Sequence, residues 1–173
     1  ITNFIYLEKS KSFNQNYNLK AFTVQFKDKI RLNILNKIAN SFNEKKINNF
    51  EFYILGSKIK GINSNIQFIN KKLDLDVVLS KSEQSEIIID IVHSNQAGLS
   101  FRVFEAMALE KKLITTNKSI LNYDFYNKSN ILLLDVNQIN IPDSFLNSEF
   151  EKIDSDIYNK YTIESWTKKI FQI

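Results

Sequence analysis

The stretch Ile87-Ile88-Ile89-Asp90-Ile91-Val92 constrains this chain more than any other. It is a near-continuous apolar run without polar alternation. A strand made from it needs cover on both faces, which is the situation of a central strand in a parallel sheet flanked by crossover helices. The next residues fit the same picture. A loop from His93 leads through Gly98 into a run from Ser100 to Leu109 that has helical length and an apolar face. Strand, glycine-bearing loop and helix make up the first part of a βαβ unit.

The rest of the chain repeats this alternation. Ala21 to Phe26 is β-branched and aromatic and reads as a strand. Asp28 is placed to cap a helix whose apolar face recurs at Ile30, Ile34, Leu35, Ile38 and Phe42. Phe50 to Leu55 reads as a second strand stopped by Gly56, and Asn65 to Ile69 as a shorter third. Leu73 to Leu79 suits a helix, although its Leu-Asp-Leu-Asp start also fits alternation. Glu86 to Val92, Leu113 to Thr115 and Ile131 to Leu134 read as further strands. The tail from Tyr161 to Ile173 carries Ile163, Trp166, Ile170 and Phe171, the spacing of a helix packed back on the domain. The expected fold is α/β, a doubly wound parallel sheet of Rossmann-like type in one domain at residues 21–173. Residues 161–173 form its C-terminal packing helix. Residues 1–20, with the apolar patch Phe4-Ile5-Tyr6-Leu7, are expected to be a linker or edge segment.

Composition removes several function classes. The 173 residues are 43% hydrophobic and 24% charged, as in ordinary globular domains, and a 13% aromatic share argues against disorder. There is no cysteine and one histidine, which excludes disulfide frameworks, thiolate metal sites and a histidine-rich zinc site. The net charge of +4 is spread along the chain and no like-charge run marks a nucleic-acid arm. The apolar runs are too short to cross a bilayer and no signal peptide is visible, so a cytoplasmic location is expected. The first residue is Ile1 rather than Met, as in a piece of a longer protein.

The residues with special chemistry gather in one place. The glycines are Gly56, Gly61 and Gly98, the arginines are Arg31 and Arg102, and the histidine is His93. One of each lies between His93 and Arg102, where the buried strand ends and a helix begins. Open α/β sheets bind ligands at that end of their strands. Gly98 lets backbone approach a ligand, and the amides of Leu99, Ser100 and Phe101 are placed as donors at a helix N-terminus, a natural phosphate site. Arg102 can add a charge-assisted contact. A plain turn glycine and a capping serine are the structural alternative. Glu105 falls on a largely apolar helix, where a carboxylate needs a partner. A ligand diol is one partner, and a salt bridge to Arg102 or to a nearby lysine is the other.

The segment from Gly98 to Asn117, with Glu105-Ala106-Met107-Ala108 at its centre, resembles the donor-site signature of GT-B glycosyltransferases. Further pieces are similar to lipopolysaccharide- or capsule-type bacterial transferases. These are Asp90-Ile91-Val92-His93, Gln96-Ala97-Gly98-Leu99, Tyr123-Asp124-Phe125-Tyr126 and the segment around Trp166. The resemblance implies one half of a GT-B fold, the donor-binding C-terminal domain. It implies Glu105 as ribose ligand, Gly98, Leu99 and Ser100 along the diphosphate beside Arg102, and a basic residue after the first strand, where Lys27, Lys29 and Arg31 stand and Arg31 fits the strand-to-helix junction best. His93, Gln96, Thr115, Thr116 and Asn117 would stand at the donor sugar or close the pocket. Where many retaining members carry a glutamate eight residues before the helix glutamate, this chain has Ala97.

The implied substrate is a nucleotide sugar, with no metal expected. The acceptor, a saccharide or a lipid-linked one, would sit on a missing N-terminal domain. The chain alone would then bind nucleotide but transfer little sugar. Peripheral association with the inner face of the cytoplasmic membrane is part of the same expectation, and a nucleic-acid partner is not. A sugar-nucleotide epimerase-like half and a non-catalytic nucleotide-binding or interaction domain are the alternatives.

Overall fold

A computed structural model describes residues 3–8, 17–93 and 96–172. Six strands form one parallel sheet: β1 (Leu19–Phe26), β2 (Phe50–Leu55), β3 (Ile66–Ile69), β4 (Ser85–Asp90), β5 (Lys112–Thr115) and β6 (Ile131–Leu133). Their spatial order is β3-β2-β1-β4-β5-β6 and every neighbouring pair is parallel. This is the doubly wound arrangement the alternating pattern predicts, with the direction of winding reversing between β1 and β4. The helices are α1 (Lys29–Glu44), α2 (Leu75–Gln84), α3 (Phe101–Ala108), α4 (Asp143–Asn147), α5 (Ser155–Asn159) and α6 (Ile163–Phe171), with a 3-10 turn at Lys118–Asn122.

The isoleucine run acts as its composition requires. Ile87 and Ile89 join one core cluster with Ala21, Phe52, Ile54 and Ile114, covered by Leu35, Ile38 and Phe42 of α1. Ile88 points the other way and joins Leu113 and Ile131 under Val103, Phe104 and Met107 of α3. Side chains alternate across a strand, so an unbroken apolar run is satisfied only when both faces are covered. Each fully buried isoleucine contributes about 1.5–3 kcal/mol. Asp28 caps α1 as expected, its side chain accepting from the amide of Arg31.

Several boundaries differ from the sequence expectation. β1 begins at Leu19, two residues early, and β4 ends at Asp90, so Ile91 and Val92 lie beyond the strand. Ile91 is nonetheless buried. The helix expected at Leu73 starts only at Leu75, because Asp74 is its N-cap, and it runs on to Gln84 and straight into β4. Leu75 and Val77 are exposed on it, so the apolar spacing that marked this helix does not mark a buried face.

The N-terminal patch forms no strand of the main sheet. Ile5 makes an isolated parallel bridge with Thr162 and is itself buried. The terminal helix α6 buries none of its residues completely. It leans on the N-terminal segment, with the rings of Trp166 and Phe4 4.7 Å apart. Residues 9–16 of the expected linker lie outside the described residues. Among the described residues, no helix is long and apolar enough to cross a membrane.

At the N-terminal edge of the sheet, Lys112 is buried and bonds Glu86 (2.7 Å) together with the carbonyls of Phe145 and Ser148. Lys20 shares the same glutamate at 2.6 Å. The cluster fastens α4 to this edge of the sheet.

Candidate functional site: the crevice between β1 and β4

Parallel strands bring all their carboxyl ends to one edge, and the reversal of winding opens a crevice there between β1 and β4. Gln25 stands near the end of β1, Asp90 ends β4 and Thr115 ends β5. The first turn of α1 brings Arg31 to this edge, and the first turn of α3 brings Arg102.

Asp90 organises the site. One carboxylate oxygen accepts from Ser100 Oγ at 2.9 Å and the other from Thr115 Oγ1 at 3.0 Å. Its charge also acts on Arg31, favouring the protonated guanidinium. Burial pulls the other way and lowers the Arg31 pKa, and the neighbouring charge of Arg102 adds to that lowering. Two guanidinium groups that repel each other therefore stand at the same edge of the sheet, with Asp90 and Asp28 opposing the repulsion.

Neither guanidinium is fully satisfied. Arg102 Nη2 donates to the carbonyl of Val24 at 3.1 Å, while its Nη1 is buried without a partner. Arg31 Nε is likewise buried and unpaired, as is Nε2 of Gln25. These three are the buried side-chain polar atoms lacking a hydrogen bond among the described residues. All belong to this one edge. Buried donors are ordinarily bonded, so a cluster of orphaned ones asks for an acceptor from outside the protein.

The loop that leads into α3 is prepared in the same sense. Gly98 adopts φ +77°, which favours glycine, and a Cβ added there would meet no heavy atom within 4 Å. The residue is thus required for its backbone angle and faces open space. The Gly98 carbonyl accepts from Asn117 Nδ2 at 2.8 Å, fixing the loop to the end of β5. Ser100 occupies the N-cap position of α3 without capping it, since its hydroxyl is turned to Asp90. Among the described residues, the amides of Leu99, Ser100 and Phe101 have no protein acceptor.

The remaining sequence-predicted residues fall into two groups. Thr115, Thr116 and Asn117 lie beneath the loop and are buried, with their polar groups engaged by the protein. Thr115 Oγ1 accepts from the amide of Asn117 and donates to Asp90. Thr116 Oγ1 accepts from the amide of Val92 at 2.9 Å. Through these bonds they tie the end of β5 to the loop and to β4. His93 and Ala97 are exposed at the mouth, with Gln96 half-buried beside them. The carbonyl of His93 accepts from the Gln96 amide at 2.9 Å. Residues 94 and 95 lie outside the described residues.

Glu105 sits half-buried one turn along α3. The salt bridge to Arg102 does not form, because Arg102 is turned to the β1 carbonyl. The partner is Tyr6, whose hydroxyl donates to Glu105 Oε1 at 2.6 Å. Burial, then the neighbouring carboxylate, pushes the Tyr6 hydroxyl pKa above its ordinary value. Next to it, Asn3 Nδ2 donates to the carbonyl of Leu99 at 2.9 Å.

Sequence reasoning missed Asp90, Gln25, Tyr6 and Asn3 as parts of this site. Asp90 had a signal, as the one charge inside an isoleucine run. Gln25 had a weaker one, a polar residue at the end of an apolar strand. Nothing in the sequence joins Tyr6 to a glutamate 99 positions away.

No family model matches the chain, and no curated protein matches it. Solved structures that show a likeness include these two. One is the S. aureus MnaA–UDP co-structure, with TM-score 0.46 and 11% identity, covering 95% of this chain and 48% of that one. The other is the glycotransferase of kitacinnamycin, with TM-score 0.43 and 10% identity, covering 92% of this chain and 43% of that one. The chain spans about half the length of each.

Proposed function

We propose that the crevice between β1 and β4 binds a nucleoside-diphosphate sugar, and that the chain is the donor-binding part of a glycosyltransferase. The observation that carries this reading is the set of orphaned donors on Arg31, Arg102 and Gln25, gathered at one end of the sheet. Two guanidinium groups held against mutual repulsion suit a diphosphate, which accepts from several donors and neutralises both charges. The amides of Leu99, Ser100 and Phe101, which have no acceptor among the described residues, lie at the positive end of α3 and add to the same anion site. Glu105, one turn farther on, carries free lone pairs for the hydroxyls of a ribose.

In transfer, negative charge grows on the departing diphosphate, and prearranged cationic donors stabilise that charge most where water is excluded. The guanidiniums supply this charge, so the reading includes no resident metal. The resemblance to lipopolysaccharide and capsule transferases extends the proposal. The product would be a bacterial surface saccharide, the acceptor would be held by a further domain at a cytoplasmic membrane face, and the chain alone would bind nucleotide with little turnover. Exposed Ala97, where an acid would contact the donor sugar, favours a second reading: a domain that binds nucleotide without transfer.

Calorimetry with UDP, GDP, CDP and ADP tests the first statement. At least one is expected to bind, and Glu105→Ala is expected to weaken it about tenfold. Absence of binding by all four, or equal binding by the variant, would overturn the assignment. A coupled transfer assay distinguishes the two readings once binding is established.

A further inference from the structure

We infer that Tyr6 is a positioning residue for Glu105, so that the N-terminal segment governs how the site grips a ribose. This rests on the reading of Glu105 as the group that meets the nucleotide's sugar hydroxyls. The Tyr6 hydroxyl reaches Oε1 at 2.6 Å, the length of a charge-assisted O–H···O bond. A carboxylate has about four lone-pair directions, so one bond from Tyr6 leaves Oε2 and a second direction on Oε1 for a diol. Among the described residues, no lysine, arginine or histidine forms an ion pair with Glu105. Among the described residues, Tyr6 is therefore the group that fixes this carboxylate.

The tyrosine is itself held by the first residue of α3 and by the start of α6. Its ring meets the Phe101 ring edge-on at 5.6 Å, and Phe4 meets that same Phe101 ring at 5.6 Å. Between them, buried Ile5 donates a hydrogen bond to the Tyr161 carbonyl (2.7 Å) and accepts one from the amide of Ile163 (3.1 Å). The start of α6 and the start of the chain are thus one clamp, and Tyr6 is its contact with the site. A glutamate side chain ordered before the ligand arrives does not lose that freedom on binding.

The test is calorimetry on Tyr6→Phe, which keeps the ring on Phe101 and removes only the hydroxyl. Its urea midpoint is measured alongside to show that the fold is intact. The probes are the tightest binder among UDP, GDP, CDP and ADP and the 2′-deoxy form of that nucleotide. Tyr6→Phe is expected to weaken the ribonucleotide about five- to tenfold and to leave the deoxynucleotide within about twofold. A general structural role would weaken both alike. If Glu105→Ala weakens the ribonucleotide while Tyr6→Phe binds it as tightly as the parent, or more tightly, the positioning role is overturned and the Glu105 reading stands. If Glu105→Ala leaves the ribonucleotide unaffected, the reading itself fails and the inference goes with it.

Discussion

Ser100 Oγ donates to Asp90 Oδ1 at 2.9 Å, so the N-cap residue of α3 is tied to the last residue of β4. A serine at an N-cap would ordinarily accept from an amide of the first turn. Here that hydroxyl is turned away, and α3 gives up the stabilisation of a cap. The first-turn donors are left for something else. A local rule of helix formation is broken at the point where the crevice opens, and such departures concentrate at functional sites.

Asp90→Asn tests how far the site depends on this tie. An amide offers one acceptor oxygen where the carboxylate offers two, so it cannot take the hydroxyls of both Ser100 and Thr115 in the same way. Thr115 is fully buried and already accepts from the Asn117 amide. The substitution also removes the charge that opposes the Arg31–Arg102 repulsion. A loss of about 1–3 kcal/mol in urea unfolding is expected. Ser100→Ala, which leaves the Thr115 bond in place, should cost less. Equal stability of Asp90→Asn and the parent would contradict the role given to the carboxylate.

Arg31→Met should separate stability from binding. The arginine has a buried, unpaired Nε and stands in the field of Arg102. Removing it relieves both, and the amide bond to Asp28 that caps α1 belongs to the backbone and survives. The melting temperature is expected to hold or to rise. Binding of inorganic pyrophosphate is expected to fall about tenfold or more, with a weaker dependence on salt. A variant that melts lower and binds pyrophosphate unchanged would show that Arg31 serves the fold instead.

A third expectation lies far from the crevice. Lys46 follows the C-cap of α1 with φ 60°, its amide bonded to Asn43 and the next amide, of Ile47, to Phe42. That is the double bond pattern of a Schellman ending, whose left-handed position favours glycine. The lysine side chain is exposed. Relief of the left-handed strain outweighs the greater freedom of glycine in the unfolded chain. Lys46→Gly should therefore stabilise by about 0.5–1 kcal/mol in urea unfolding. A lower midpoint would mean that the side chain has a role its exposure does not reveal.

The fold could be read from sequence because its signals are local or periodic. The isoleucine run demanded two-sided cover, Asp28 announced α1, and the alternation of strands and helices gave the parallel sheet. The crevice was legible only in outline. Gly98, Ser100 and the arginines were found by type and position, but the partner of each group was not. The Ser100 hydroxyl has the chemistry of a cap and the geometry of a tie to Asp90. Glu105 had Arg102 within helical reach and was taken instead by Tyr6. The relevant competitors come from β1 and from the N-terminal segment, and no spacing within α3 encodes them. The protein partners of Thr115 and Thr116, Asp90 and two backbone amides, were likewise not legible in the sequence.

Lys111 supplies the last expectation, and its direction follows from burial. The side chain is buried next to β5, with Nζ donating to the Glu83 carbonyl and standing 4.3 Å from the centre of the Tyr17 ring. Burial lowers its pKa from 10.5 to about 8, against the opposing pull of Glu83, Glu110 and Glu86. Between those two values the unfolded chain holds a proton that the folded one has released. The unfolded state binds more protons there, so the contribution of Lys111 to stability rises with pH across that window and is least favourable below it. Lys111→Met removes the titration while keeping an unbranched chain of similar length. Urea unfolding of both proteins at pH 7 and pH 9.5 isolates the effect, since their other ionisable groups are shared. Relative to the variant, the parent should gain on the order of 1–2 kcal/mol between the two pH values. A constant difference would mean that the ammonium group is hydrated in the folded protein, and a falling one would mean that its charge is stabilised there.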